Sequence, residues 1–195
     1  MGVLCLHSSV WAGAATWTNV NSGTLGTVGI TVSYTSSGET LGTDDFSGTN
    51  HAYQPLTASQ TAIATNSDQD VTFTFASPVS NLLLYGLYWR GTGCGGSGIY
   101  TFNHAPTIKS GFGTAAISGN NLTIGSSSWA NSNGILSFAG PLTSLTINPD
   151  CTGASGNGYY TFATDDTLPP PAMSAPILNL NQPAVIYSEE IDVTK

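Results

Sequence analysis

The sequence predicts an all-β fold: an antiparallel, two-sheet β-sandwich, jelly-roll-like, of about ten strands. Three observations carry this. Apolar residues alternate with Ser, Thr and Gly at period two in one segment after another. Clusters of Gly, Asn and Ser separate those segments. No segment carries a 3.6-residue apolar stripe of useful length. Many short strands with no helices between them point to a sandwich rather than an α/β fold.

The elements follow in order. Residues 1–15 read either as a truncated signal peptide, apolar from Gly2 to Trp11 with small residues after it, or as a first strand from Val3 to Trp11. Val28, Ile30, Val32 and Tyr34 alternate with small polar residues, giving one buried face. Ala58 to Ala64 is the best helix candidate, and it is short. Val71, Phe73 and Phe75 repeat the strand pattern, with Thr72 and Thr74 facing out. Leu82 to Trp89 is apolar on both parities, which predicts a central strand covered on both faces. Ile99–Phe102, Leu122–Ile124, Ile135–Phe138, Leu142–Ile147 and Tyr159–Phe162 follow as strands. The sandwich domain is therefore 16–167. Residues 168–195 form a proline hinge, Pro169-Pro170-Pro171, and an apolar β-like tail with Ile177, Leu178, Leu180, Val185, Ile186 and Tyr187.

Charge narrows the function. Asp and Glu number 11, Lys and Arg only 3, and the formal net charge is −8. A typical domain is about 25% charged, and this chain is 7% charged. A polyanion would be repelled, so nucleic acid is not a partner. No stretch reaches the ~20 apolar residues of a membrane span. Low charge with abundant Ser, Thr, Gly and Asn suits an extracellular, cell-surface or virion-surface location.

The pattern of Val71-Thr-Phe-Thr-Phe-Ala-Ser-Pro-Val-Ser-Asn-Leu-Leu-Leu-Tyr, then Ser118-Gly-Asn-Asn-Leu, then Gly134-Ile-Leu-Ser-Phe-Ala-Gly-Pro-Leu-Thr-Ser-Leu-Thr-Ile and Gly158-Tyr-Tyr-Thr-Phe is familiar. It resembles secreted bacterial β-sandwich surface modules of the kind found in PEP-CTERM-type and large repeat surface proteins. The likeness spans about residues 24–164 and is one of strands and turns, not of catalytic residues. It implies an extracellular module. The sequence ends Ser188-Glu-Glu-Ile-Asp-Val-Thr-Lys, without a sorting signal of that type.

Candidate sites are few. Cys94 and Cys151 each sit in a Gly-rich turn, and in an exported chain they are expected to form one disulfide. Trp129, Trp89 and Tyr53, with Tyr88 and Tyr159, are candidate sugar-stacking faces. His51 and His104 read as exposed loop residues. Asp44-Asp45 and Asp165-Asp166 are adjacent pairs whose side chains diverge in extended chain, so neither makes an acid/base pair. No Gly-x-Ser-x-Gly nucleophile elbow is present. Asn66-x-Asp68-x-Asp70 places oxygen ligands at alternate positions, a start for a structural calcium site without the rest of the loop. No other cofactor is expected.

These readings predict a non-catalytic structural subunit, self-associating into a fibre or virion-type array through its tail. A glycan-binding adhesin-like module is the alternative, and an extracellular hydrolase the second.

Overall fold

The computed structural model describes residues 13–56, 59–66, 69–89, 98–125, 132–150 and 157–165. Among the described residues there are fourteen strands and one 3₁₀ turn, Thr49–His51. The first five strands are β1 (Thr16–Asn19), β2 (Ser22–Leu25), β3 (Val28–Tyr34), β4 (Thr40–Asp44) and β5 (Gln60–Asn66). Next come β6 (Val71–Val79), β7 (Leu82–Leu87), β8 (Gly98–Phe102), β9 (Pro106–Gly111) and β10 (Ala116–Ser118). The last are β11 (Asn121–Ile124), β12 (Gly134–Phe138), β13 (Leu142–Asp150) and β14 (Asn157–Thr164).

They form two sheets. The eight-stranded sheet runs β1-β2-β3-β6-β13-β8-β11-β10, and the six-stranded sheet runs β4-β5-β14-β7-β12-β9. The topology is a rolled hairpin. β6 pairs with β13, β7 with β12 and β8 with β11, all antiparallel. Successive rungs fall alternately in the two sheets. Lateral pairs β13–β8 and β12–β9 then close the roll. This is the jelly-roll plan. β3 extends one sheet from β6, while β14 lies between β7 and β5 in the other.

The predicted alternation holds. Val71, Phe73 and Phe75 point into the space between the sheets, as do Ile30 and Val32. Every residue of β7 is buried. Leu82 and Leu84 join the inter-sheet core, while Leu83, Tyr85 and Leu87 join a second apolar cluster on the outer face. The central strand is thus covered on both faces, as its sequence predicts.

Two expectations need correction. The short helix predicted from Ala58 to Ala64 gives way to strand β5. Ile63 fills the inter-sheet core and Ala62 the outer cluster, so tertiary burial overrides the helix preference of alanine. The strand count is higher than expected because β1, β2, β4, β9 and β10 are short or carry little apolar alternation. Cys94, Cys151, Trp129, the Val3–Trp11 segment and the tail residues 174–195 lie outside the described residues. No helix among the described residues is long and apolar enough to cross a membrane.

Candidate functional site

The outer face of the six-stranded sheet brings together Asp45, His51, Tyr53, Lys109 and Asp165. A strap, residues 45–56, leaves the end of β4 and crosses this face. Its turn is set locally: the Asp45 carboxylate accepts from the Ser47 backbone N–H at 2.8 Å and from the Ser47 hydroxyl. Those bonds hold the Asp45 carboxyl below its ordinary range. Phe46, fully buried, then packs with Ala62, Leu83 and Tyr85. The Tyr85 hydroxyl donates to the Gln54 carbonyl at 2.7 Å, and the Gln54 amide donates to the Thr164 carbonyl at 3.0 Å. At the far side the Ser110 hydroxyl donates to the Asn50 carbonyl at 3.0 Å. Gly111 lies just there at φ +74, and a Cβ on it would collide with the backbone of Asn50 and Asn133.

Under the strap lies an ion-paired lock. In the β9–β12 ladder Ile135 faces Ser110 and Leu136 faces Ile108, so Lys109 is the extra residue of a bulge. Its ammonium stands 3.6 Å from the Asp165 carboxylate and 4.7 Å from the centre of the Tyr53 ring. The Tyr53 hydroxyl donates to the same carboxylate at 2.7 Å. The Asp165 side chain has no exposure, and that of Lys109 keeps 21%. The lock ties strap, β9 and the end of β14 together.

His51 is buried, not exposed as its loop position suggested. Its ring stacks on Tyr85 at 5.9 Å, and its Nε2 lies 3.2 Å from the Gly86 carbonyl. Burial lowers its pKa from 6.5, against the opposing pull of the Gly86 carbonyl, Asp45 and Asp44. The fold therefore prefers the neutral ring, while the unfolded chain binds a proton near pH 6.5. Stability should be full above that pH and fall as pH drops through the folded value. Urea midpoints from about pH 7.5 to about pH 5 should decline in the native protein and decline less in His51→Phe. Equal slopes would show that this ring does not titrate with unfolding.

The aromatic candidates separate. Trp89 has 0% exposure and is part of the inter-sheet core. Its ring stacks on Tyr100 at 4.8 Å and packs against Tyr160 at 5.2 Å. Its Nε1–H donates to the Tyr159 carbonyl at 3.3 Å. It offers no face to a sugar, which corrects that expectation: Gly86 leaves an open shelf on β7, and the indole lies down on it. Tyr53 is half-buried, with its hydroxyl and one ring face taken by the lock. Tyr88 and Tyr159, by contrast, are brought together edge to face at 5.7 Å and remain half-buried. Tyr159 lies across Gly42 of β4, where any side chain would collide with it. Tyr88 sits at φ +58, held by a 2.7 Å bond from its N–H to the Asn133 side chain. Burial and the neighbouring Asp44 carboxylate raise its phenol pKa.

No family model, curated protein or solved structure matches the chain.

The suggested calcium residues are only partly in view. Asp68 lies outside the described residues. The Gln69 side chain closes the loop it would belong to, accepting from the Asn66 N–H at 3.3 Å and donating to the Ser36 carbonyl. Among the described residues, no group of three or more His, Cys, Asp or Glu is placed to hold a metal ion. Neither Lys109 as a site residue nor its pairing with Asp165 is legible in the sequence. The one available signal was that Lys109 is one of only three basic residues, beside Arg90 and Lys195.

Proposed function

We propose that this chain is a non-catalytic structural subunit of an extracellular surface, bacterial or virion, that self-associates through its C-terminal tail. The observation that carries the reading is the inward use of Lys109, the one Lys or Arg among the described residues. Lys109 and the Asp165 carboxylate neutralise each other beneath the strap instead of facing a cleft. A rigid, doubly covered jelly roll followed by the proline spacer and apolar residues 174–195 suits a building block. The resemblance to secreted bacterial surface modules supports the same location. Sedimentation of the full-length chain and of a chain truncated after Thr167 tests it. Concentration-dependent polymers of the first and monomers of the second are expected. Two monomers of equal stability would overturn it.

A disulfide fits this setting. Asp150 at the end of β13 pairs with Ile99 at the start of β8, so the segments carrying Cys151 and Cys94 leave neighbouring strand ends. A Cys94–Cys151 bridge would close a loop of about 57 residues and contribute roughly 2–4 kcal/mol. Mass spectrometry without reduction should find both thiols blocked; two free thiols would remove the bridge.

The Tyr88–Tyr159 pair beside Asp44 favours one second reading, a glycan-binding module. A π-face next to a hydrogen-bonding carboxylate suits a sugar ring. On that reading Tyr159→Ala abolishes retention on a glycan array while sedimentation stays unchanged.

A further inference from the structure

We propose that the outer edge of β4 is the acceptor for an added strand, and that the strand is residues 177–182 of a second copy of this chain. This rests on the self-association reading above and names its interface.

Among the described residues the two sheets end in four edge strands: β1, β10, β4 and β9. Exposed edges are normally blunted, because an unpaired row of N–H and C=O groups recruits further strands. Three of the four are blunted. β1 has four residues and a bulge between Trp17 and Asn19. β10 has three residues. β9 begins with Pro106, bulges at Lys109 and ends on the positive-φ Gly111. β4 has no proline, no lysine and no bulge, and it pairs in continuous register with β5 from Thr40↔Ala64 to Asp44↔Gln60.

Its side chains point the same way. Leu41 is 38% exposed and is the exposed large hydrophobic residue among those described. It pairs with Ile63, whose side chain is in the inter-sheet core. Leu41 therefore stands on the inner face, at the open rim of the sandwich. One more strand beside β4 would cover it and satisfy the free backbone groups of the edge.

The tail contains a segment of matching length and charge. Residues 177–182, Ile-Leu-Asn-Leu-Asn-Gln, carry no charge and are bounded by Pro176 and Pro183. Prolines lack the N–H that would continue a ladder, so they fix where pairing begins and ends. The later run, Ala184 to Tyr187, leads into Glu189 and Glu190. That acidic pair would be repelled by Glu39, Asp44 and Asp45 around β4.

The spacer decides between the chain's own edge and a neighbour's. β14 runs antiparallel to β5, so the chain leaves at Asp165 at the same end of the sheet as Asp44. A strand added outside β4 would lie three strand spacings from β14, beyond β5 and β4, a gap of roughly 15 Å. Residues 166–176 include Pro169, Pro170, Pro171 and Pro176. Were these 11 residues extended at ~3.1 Å per residue, they would span about 34 Å. A proline-rich spacer about twice as long as that gap lowers the effective concentration for closing on itself. The contact is heterologous, so it propagates as a chain of subunits.

The test uses Leu41→Lys, which blunts the acceptor and keeps the donor, and the chain truncated after Thr167, which does the reverse. The native chain should polymerise. Each variant alone should sediment as a monomer, and their equimolar mixture should give heterodimers. If the native chain polymerises and Leu41→Lys does so equally, β4 is not the acceptor, while self-association stands. If both variants are monomers and the mixture does not pair, the donor is not the tail of a second copy. A native monomer that loses stability on truncation places the tail on its own body and overturns the proposal. Thr43→Lys, exposed on the same strand, repeats the experiment should Leu41→Lys lose its native circular dichroism.

Discussion

Replacing Trp89 with Ala should destabilise the fold by about 3–5 kcal/mol, the range for emptying a fully buried large aromatic site. The indole has 0% exposure and sits where the two sheets meet. Tyr100 and Phe102 come from β8, Tyr160 from β14, and Phe112 from the turn after β9, all within 6.1 Å centre to centre. Removing it leaves those rings without a shared partner and the Tyr159 carbonyl without its indole donor. At roughly 2–4 °C per kcal/mol for a chain of this size, Tm should drop by about 6–20 °C. Gly86→Ala probes the same contact from below. A Cβ there would stand 2.6 Å from the indole Cε2, so Gly86→Ala should be costly alone and much milder combined with Trp89→Ala. Urea unfolding of the four proteins measures the coupling. Additive losses would mean that the indole does not rest on Gly86, and a Tm within a few degrees of native for Trp89→Ala would mean that it is not the keystone of the two sheets.

The legible part of the fold was the part whose side chains alternate. β3 and β6 have one face toward the inter-sheet core, and Val, Ile and Phe at every second position announce this. β7 is apolar on both parities because the strap covers its outer face, so burial of both faces was also readable. β4 was not. Only Leu41 in Thr40–Asp44 is a large apolar residue, and a rim strand gains its place from backbone pairing with β5 more than from side-chain burial. β5 misled for the opposite reason. Its alanines favour a helix in isolation, yet small side chains are what the outer face needs where Phe46 lies close.

The candidate site was less legible because it is assembled across distance in sequence. Tyr53, Lys109 and Asp165 come from the strap, a bulge and a strand end. No local spacing records that they meet. A one-residue bulge redirects Lys109, and bulges leave little trace in composition. Asp165 and Asp166 are adjacent in sequence and diverge in extended chain, while Lys109, which pairs with Asp165, comes from β9. Trp89 shows the converse error: an aromatic residue at a strand end beside a Gly-rich turn looks exposed until the shelf at Gly86 is known.

Lys109→Met should cost about 3 kcal/mol, the low end for breaking a buried ion pair, because the ammonium is partly exposed and the carboxylate is not. The penalty arises chiefly from the Asp165 charge left behind in an enclosed site, not from lost attraction. The Tyr53 hydroxyl still donates to it, but a neutral donor does not offset a missing cation. Asp165→Leu in the same chain removes that stranded charge. The double variant should therefore recover most of the loss, since an apolar replacement of a buried pair is often neutral or stabilising. Tyr53→Phe alone, which deletes the hydroxyl bonded to the carboxylate, should cost about 1 kcal/mol to 3 kcal/mol. If the lock is structural, these losses in urea titrations leave self-association of the still-folded proteins unchanged. A single Lys109→Met as stable as native would mean that strap, β9 and β14 are held without the ion pair. A double variant less stable than either single would show that the pair contributes net attraction beyond its desolvation.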